Sequence, residues 1–390
     1  MRLPFCLFLG LLPGAFGADL LAPWREGVKV RPVAPDQNRH SMHTYFNISP
    51  ESPDGKWVLY YTSSAPDSHE GDIRILERAT GKEKLLASNL TTEDAHRAAC
   101  QQWVCGGRQV VFHDLRKGQW QVIAVDIKTG KKRVLARNRL LSWGQASGNI
   151  VPIYGLHWNP GPHRDLELLN VETGEIRTVV TAAAVRQSYA EAVSKEFGDR
   201  PISIFFPILS PDGKRIFFKL ATPAGGDFRS AKASHREILI GYDLERSRFL
   251  FLHPRWGHPA WHPDSRAFIN VPTMLADSET GSTRRIPDLP VFRGSHPSIS
   301  PDGRLFTTDT LAEAFGGAKG EWGVAVADLG GQGYVMLHRF DGSKGATSWR
   351  RSHPHPVFSP DGKRIYFNVN ASQWTQLFVA EAGANASTRP

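Results

Sequence analysis

One short phrase recurs along this 390-residue chain: SPDGK opens at Ser52, Ser210 and Ser359, SPDGR at Ser300, and a degenerate HPDSR at His262. Runs rich in β-formers follow these phrases, among them WVLYYTS, RIFFKL, LFTTDT and RIYFNVN. Asp-Gly between apolar runs is a strong hairpin signal, because the turn needs residues that tolerate positive φ. Two weaker starts, CGGRQVVFHD after Val104 and ASGNIVPIYG near Gln145, fill the gap before Ser210. Seven starts result, near 52, 104, 145, 210, 262, 300 and 359, spaced by 52, 41, 65, 52, 38 and 59 residues.

A second turn follows the first six: ERATGKEKLL, DIKTGKKRVL, NVETGEIRTV, YDLERSRFLF, DSETGSTRRI and DLGGQGYVML. The seventh unit ends at QLFVAEAG and a Gly/Ala/Ser tail over about 382–390, so it lacks an outer strand. GVKVRPV, Gly27 to Val33, has no first turn of its own and is placed to supply it. This pattern predicts an all-β, seven-bladed β-propeller closed by an N-terminal strand. Closure removes the free sheet edges that invite aggregation. AAAVRQSYAEAVSKEFG adds one short helix over about 182–197, ending at Gly198, between blades three and four.

Residues 1–17 read as a cleavable signal peptide: a basic start, a short interrupted apolar run, and Ala15-Phe16-Gly17 at the cleavage site. The propeller would then occupy 18–390 of a periplasmic or secreted protein. No run reaches the about 20 apolar residues of a membrane span. After cleavage only Cys100 and Cys105 remain, a pair that oxidation would allow to bond and that makes no metal cluster. The net charge of +9 is spread along the chain, which suits an anionic polysaccharide better than nucleic acid.

Alignment on the turn aspartates brings out a second register. His258, His296 and His355 each precede a turn aspartate (Asp264, Asp302, Asp361) by six residues, and each is followed by proline. The residue before proline is expected to be extended, which places all three where an inner strand enters the channel. His353 lies two before His355, on the same side of an extended strand. Blade four has Phe206 at this offset and blade one Ile48, so the histidines are confined to blades five to seven. Imidazoles in this number suit Mn, Fe, Ni, Cu or Zn, whereas Ca or Mg would want carboxylates. HExxH, Walker and dinucleotide signatures are absent, as is a serine-hydrolase elbow.

SHPHPVFSPDG (352–362), SHPSISPDGRLFTTD (295–309) and GHPAWHPD (257–264) resemble the oligogalacturonate lyases, seven-bladed propellers similar in form to TolB-type repeats. The resemblance covers the C-terminal three blades in motif and the N-terminal half only as generic repeat. It implies His296, His353 and His355 as ligands of a divalent, manganese-like ion. It further implies His258 as the base and Arg236, in SHREILIGYD, as the binder of the uronate carboxylate. The family's glutamine ligand, three before the HPH, is Arg350 here, and a guanidinium cannot ligate a metal. Either three histidines suffice with waters, or Arg350 neutralises a substrate carboxylate directly.

β-Elimination of an acidic oligosaccharide needs a base for the proton α to the carboxylate and positive charge to stabilise the resulting anion. A paired-carboxylate glycosidase would need two acids at the same mouth. Blades five to seven offer no acid beside the histidines except the turn aspartates, which are expected to cap their turns. A non-catalytic TolB-like module and a lyase on another uronate, such as ulvan, are the competing readings. His43 is a weaker candidate, as are His96 and His113, which flank blade two's first strand, and Trp103, Trp256 and Trp261 have either sugar stacking or packing open to them.

Overall fold

The structure, a computed structural model, describes residues 19–271, 273–342 and 353–383. Residues 1–17, the expected signal peptide, lie outside the described residues, as do Arg350 and most of the C-terminal tail. Seven four-stranded antiparallel sheets follow one another in chain order. Their inner strands are His40–Met42, Gln102–Val104, Arg139–Leu141, Ser203–Leu209, Ala260–Trp261, Ser298–Ile299 and Val357–Phe358. Each of the seven first turns lies between an inner strand and the next strand outward.

The recurring phrase has a physical cause. Ser52 Oγ donates to Asp54 Oδ1 at 2.6 Å and accepts from the Trp57 amide at 3.0 Å, so one hydroxyl bridges both sides of the hairpin. Ser210, Ser300 and Ser359 repeat the arrangement with Asp212, Asp302 and Asp361. The glycine that follows takes φ near +70°, open to glycine without strain. Blade five replaces it with Ser265 at φ +63°. The turn aspartates are therefore caps.

The strand Lys29–Pro32 pairs antiparallel with Gln376–Glu381, so the first described strand completes the last blade. A buried latch reinforces the seam. Glu51, 1% exposed, accepts a bidentate pair from Arg364 (2.8 and 2.9 Å) and the Tyr366 hydroxyl (2.6 Å).

The insertion between blades three and four is helical, in two consecutive pieces, Ala182–Ser188 and Ala190–Phe197, separated at Tyr189. Thr181 caps the first by accepting from the Ala184 amide, and Gly198 ends the second at φ +60°. Val185, Val193 and Phe197 pack into blade four's core with Ile238 and Ile240. Glu196 Oε1 lies 2.7 Å from His235 Nε2, bracing the strand that carries Arg236. Cys100 and Cys105 are free, buried thiols. No helix among the described residues is long and apolar enough to cross a membrane.

Candidate active site

The segment after the first inner strand fills the channel. Tyr45 stacks 5.6 Å from Trp143 of blade three and packs 5.6 Å from Phe206 of blade four and 4.5 Å from His355 of blade seven. Phe46 lies 6.0 Å from His258 and 5.3 Å from His296. Asn47 Nδ2 donates to the Pro259 carbonyl at 2.9 Å and ties the segment to blade five. Below this plug a separate cavity is lined by Trp143, Trp261 and turn prolines such as Pro211 and Pro301. Above it lies a pocket of about 190 Å³.

That upper pocket gathers His258, His296, His353, His355 and Arg236. His296 is central: its ring centroid is 4.7 Å from His258, 5.2 Å from His353 and 4.3 Å from His355. His355 does not sit in extended backbone. Its φ is +46°, as Phe206 at the same offset in blade four is at +56°. Proline follows both residues, and the left-handed kink overrides the pre-proline preference. In blade four it coincides with a register shift between Phe205 and Ile208. Left-handed backbone at a non-glycine residue is strain that surrounding packing must sustain, and here it serves the channel-facing positions of blades four and seven.

Blade two contributes a residue with weaker sequence support. The possible ligand atoms of His96, His353 and His355 all lie within 4.8 Å of one another, and this is the group whose spacing suits one metal ion. His296 stands beside it, its Nδ1 2.7 Å from Asp309 Oδ2. His96 follows Asp94, whose Oδ1 accepts from the backbone amides of both His96 (2.7 Å) and Arg97 (3.0 Å), folding the loop inward. Nδ1 of His96 and Nδ1 of His355 are buried without a hydrogen-bond partner among the described residues. Buried polar atoms are ordinarily paired, so two orphaned imidazole nitrogens in an all-nitrogen donor set fit a borderline divalent ion.

Acids do stand beside the histidines, contrary to the expectation from blades five to seven. Asp309, from blade six's second strand, is fully buried; its Oδ1 accepts from the backbone amides of Ser295 and His296. Burial pushes its carboxyl up, but His296 and His353 outweigh this and hold it below its ordinary value. Asp94 is drawn down by Arg97 and His96 against burial. Both acids are thus committed to partners, which leaves no free carboxylate pair for glycosidase chemistry.

His258 is pushed well below the ordinary imidazole range, first by burial and then by Lys219 and the neighbouring histidines. It is therefore neutral near pH 7, as a base must be. Arg236 Nε donates to Ser234 Oγ at 2.9 Å and Nη2 to the Ala231 carbonyl at 3.2 Å, and the guanidinium lies 5.2 Å over the Phe205 ring. Among the described residues these hydrogen bonds go to neutral oxygens; Asp94 acts on the guanidinium through space without a direct ion pair. His43 is buried under blade seven's entry, against the backbone of Pro354 and His355. Of the three tryptophans, Trp256 lines the pocket, Trp103 is buried with Nε1 donating to the Pro50 carbonyl, and Trp261 stacks 3.7 Å from Phe217.

No family model and no curated protein matches the chain. Among solved structures, an oligogalacturonate lyase in complex with manganese is similar with a TM-score of 0.62 and 18% identity, over 91% of this chain and 93% of that one. An oligogalacturonate lyase from Vibrio parahaemolyticus follows at 0.61 and 16%, over 94% and 96%. A Kuenenia stuttgartiensis hydrazine synthase chain scores 0.51 at 13% identity, over 90% and 99%. At these identities the likeness is one of fold: the chain is a seven-bladed propeller of the form that oligogalacturonate lyases share.

Proposed function

We propose that this chain is an exported lyase that cleaves uronate-containing oligosaccharides by β-elimination, acting on an oligogalacturonate-like substrate. One observation supports this above others. A neutral histidine, an arginine with no direct ion pair among the described residues and a cluster of metal-type imidazoles line one pocket, where the described acids are committed to partners.

In this reading Arg236 takes the carboxylate of the reacting uronate and draws off charge. That raises the acidity of the adjacent C–H. His258 removes this proton; the electron pair forms a carbon–carbon double bond, and the bond to the glycosidic oxygen breaks. The leaving oxygen takes a proton from solvent. His96, His353 and His355, with His296 beside them, would hold a divalent ion of the manganese kind. Such an ion supplies Lewis-acid stabilisation of carboxylate charge. The Asp309–His296 contact fixes that ring's orientation toward the cluster. Trp256 offers a face on which a sugar ring can stack.

Incubating the protein with oligogalacturonates and other acidic oligosaccharides, with and without chelator, tests the proposal. Ultraviolet absorbance of an unsaturated uronate is expected, lost in His258→Ala. A folded wild-type protein that yields no unsaturated product from any uronate sinks the lyase reading and favours a non-catalytic propeller.

A further inference from the structure

Lys219 has no role in the chemistry above, and its surroundings are unusual for a lysine. It lies on blade four's second strand, Arg215–Pro223, paired with Phe205 on one side and Leu239 on the other. The side chain is wholly buried, and Nζ has no hydrogen-bond partner among the described residues. It sits 3.9 Å from the Trp256 ring centroid and 4.5 Å from that of Phe206. Both rings line the histidine pocket, so the amine lies directly behind its wall.

An ammonium in this position gains from the two aromatic faces but forgoes every acceptor it had in water. The other charges nearby do not relieve it. Arg97 is matched by Glu93 at 2.6 Å, Asp94 at 3.4 Å and the Tyr154 hydroxyl at 2.8 Å. Arg236 makes no direct ion pair among the described residues, and the acids that act on it are the same Asp94 and Glu93. Glu237, the nearby acid, pairs with Arg255 at 3.6 Å. Burial, then Arg97 and Arg236, push the Lys219 amine well below its ordinary range, while Glu237 pulls the other way. Glu93 and Asp94 thus balance the two arginines, and a protonated Lys219 is the cation left without an acid of its own, a charge that a bound anion would offset.

We propose that Lys219 is a specificity-determining residue, whose buried amine behind Trp256 and Phe206 makes this pocket select free carboxylates over their methyl esters. The proposal rests on the uronate reading of the site and sharpens it. Carboxylate and ester share shape and stacking surface and differ mainly in charge. A bound carboxylate favours the protonated amine, and a cation shielded from water acts on that difference far more strongly than a solvated one. Lys219 does not touch the sugar; it works through the potential it sets at the pocket wall.

The test compares galacturonate with its methyl ester, single sugars with no glycosidic bond to lose, by calorimetric titration of the full chain. The wild-type protein is expected to prefer galacturonate by at least about tenfold, about 1.4 kcal/mol. Lys219→Met should bring the ratio near one, leave ester binding unchanged, and hold or raise Tm, because an apolar chain between two rings removes a buried amine that has no acceptor. Lys219→Arg, which keeps the charge, should keep the preference, and Lys219→Gln carries the comparison should the methionine variant not fold. A preference that survives in folded Lys219→Met or Lys219→Gln overturns the proposal, as does a wild-type protein that binds both sugars equally or neither. A wild-type protein that prefers galacturonate yet makes no unsaturated product from its oligomers overturns the lyase reading and leaves the role of Lys219 standing.

Discussion

Nδ1 of His296 lies 2.7 Å from Oδ2 of Asp309, and both side chains are buried. Because the same carboxylate also accepts from the amides of Ser295 and His296, it fixes the loop as well as the ring. Asp309→Asn keeps the shape but removes the charge that selects the Nδ1–H tautomer. Loss of such a partner commonly lowers metal affinity or activity about 10–100-fold. Manganese titration and uronate turnover should both fall, with the circular-dichroism spectrum unchanged.

His96 comes from the opposite side of the ring to the motifs that carry the family resemblance. If it completes the imidazole set, His96→Ala should weaken manganese binding at least about tenfold, about 1.4 kcal/mol. Elemental analysis and calorimetry of the purified chain read this directly, without an activity assay. Manganese binding unaltered by His96→Ala would leave the ion to the blade-six and blade-seven histidines.

Burial pushes the His43 imidazole down to about 4. In the unfolded chain it titrates near its ordinary value of about 6.5. Between those values the unfolded chain binds the extra proton, so stability rises with pH across the window and is lost as pH falls through it. The shift corresponds to about 3 kcal/mol. Urea denaturation in chelator at pH values spanning the window should show the loss, and His43→Leu should make the slope shallower by one proton.

Arg364 has Glu51 as its bidentate partner across the seam between blades seven and one. Breaking a buried pair by removing one charge typically costs about 3–5 kcal/mol. Glu51→Gln should lower Tm by several degrees and release the seam first, visible as hydrogen exchange in Gln376–Glu381 ahead of the other blades.

The propeller was legible because four of its seven first turns repeat a local chemistry of one serine hydroxyl, one aspartate and one glycine, which let the weaker starts be found by spacing. The closing strand was legible by counting six second turns against seven first ones. His258, His296 and His355 could be aligned because they keep a fixed offset from the same turns. His96 keeps no such offset; it is carried inward by an Asx turn at Asp94 that only the folded loop reveals. Asp309 was in plain view in LFTTD, but alternation along a strand does not say that its partner is the histidine thirteen residues before it. Lys219 was hidden for a related reason. In RIFFKL it reads as the polar member of a strand, and only packing of blade four against blade five buries it.

The ring closes by pairing its first described strand with its last. The histidine mouth, meanwhile, draws on blades two, five, six and seven, with Arg236 from blade four. During synthesis His96 and Arg236 are made long before His353 and His355. Lys29–Pro32 must wait, unpaired, for nearly the whole chain to appear. A shortened product would therefore carry an incomplete pocket and two open sheet edges at once, so chains competent in chemistry are also the chains protected from aggregation.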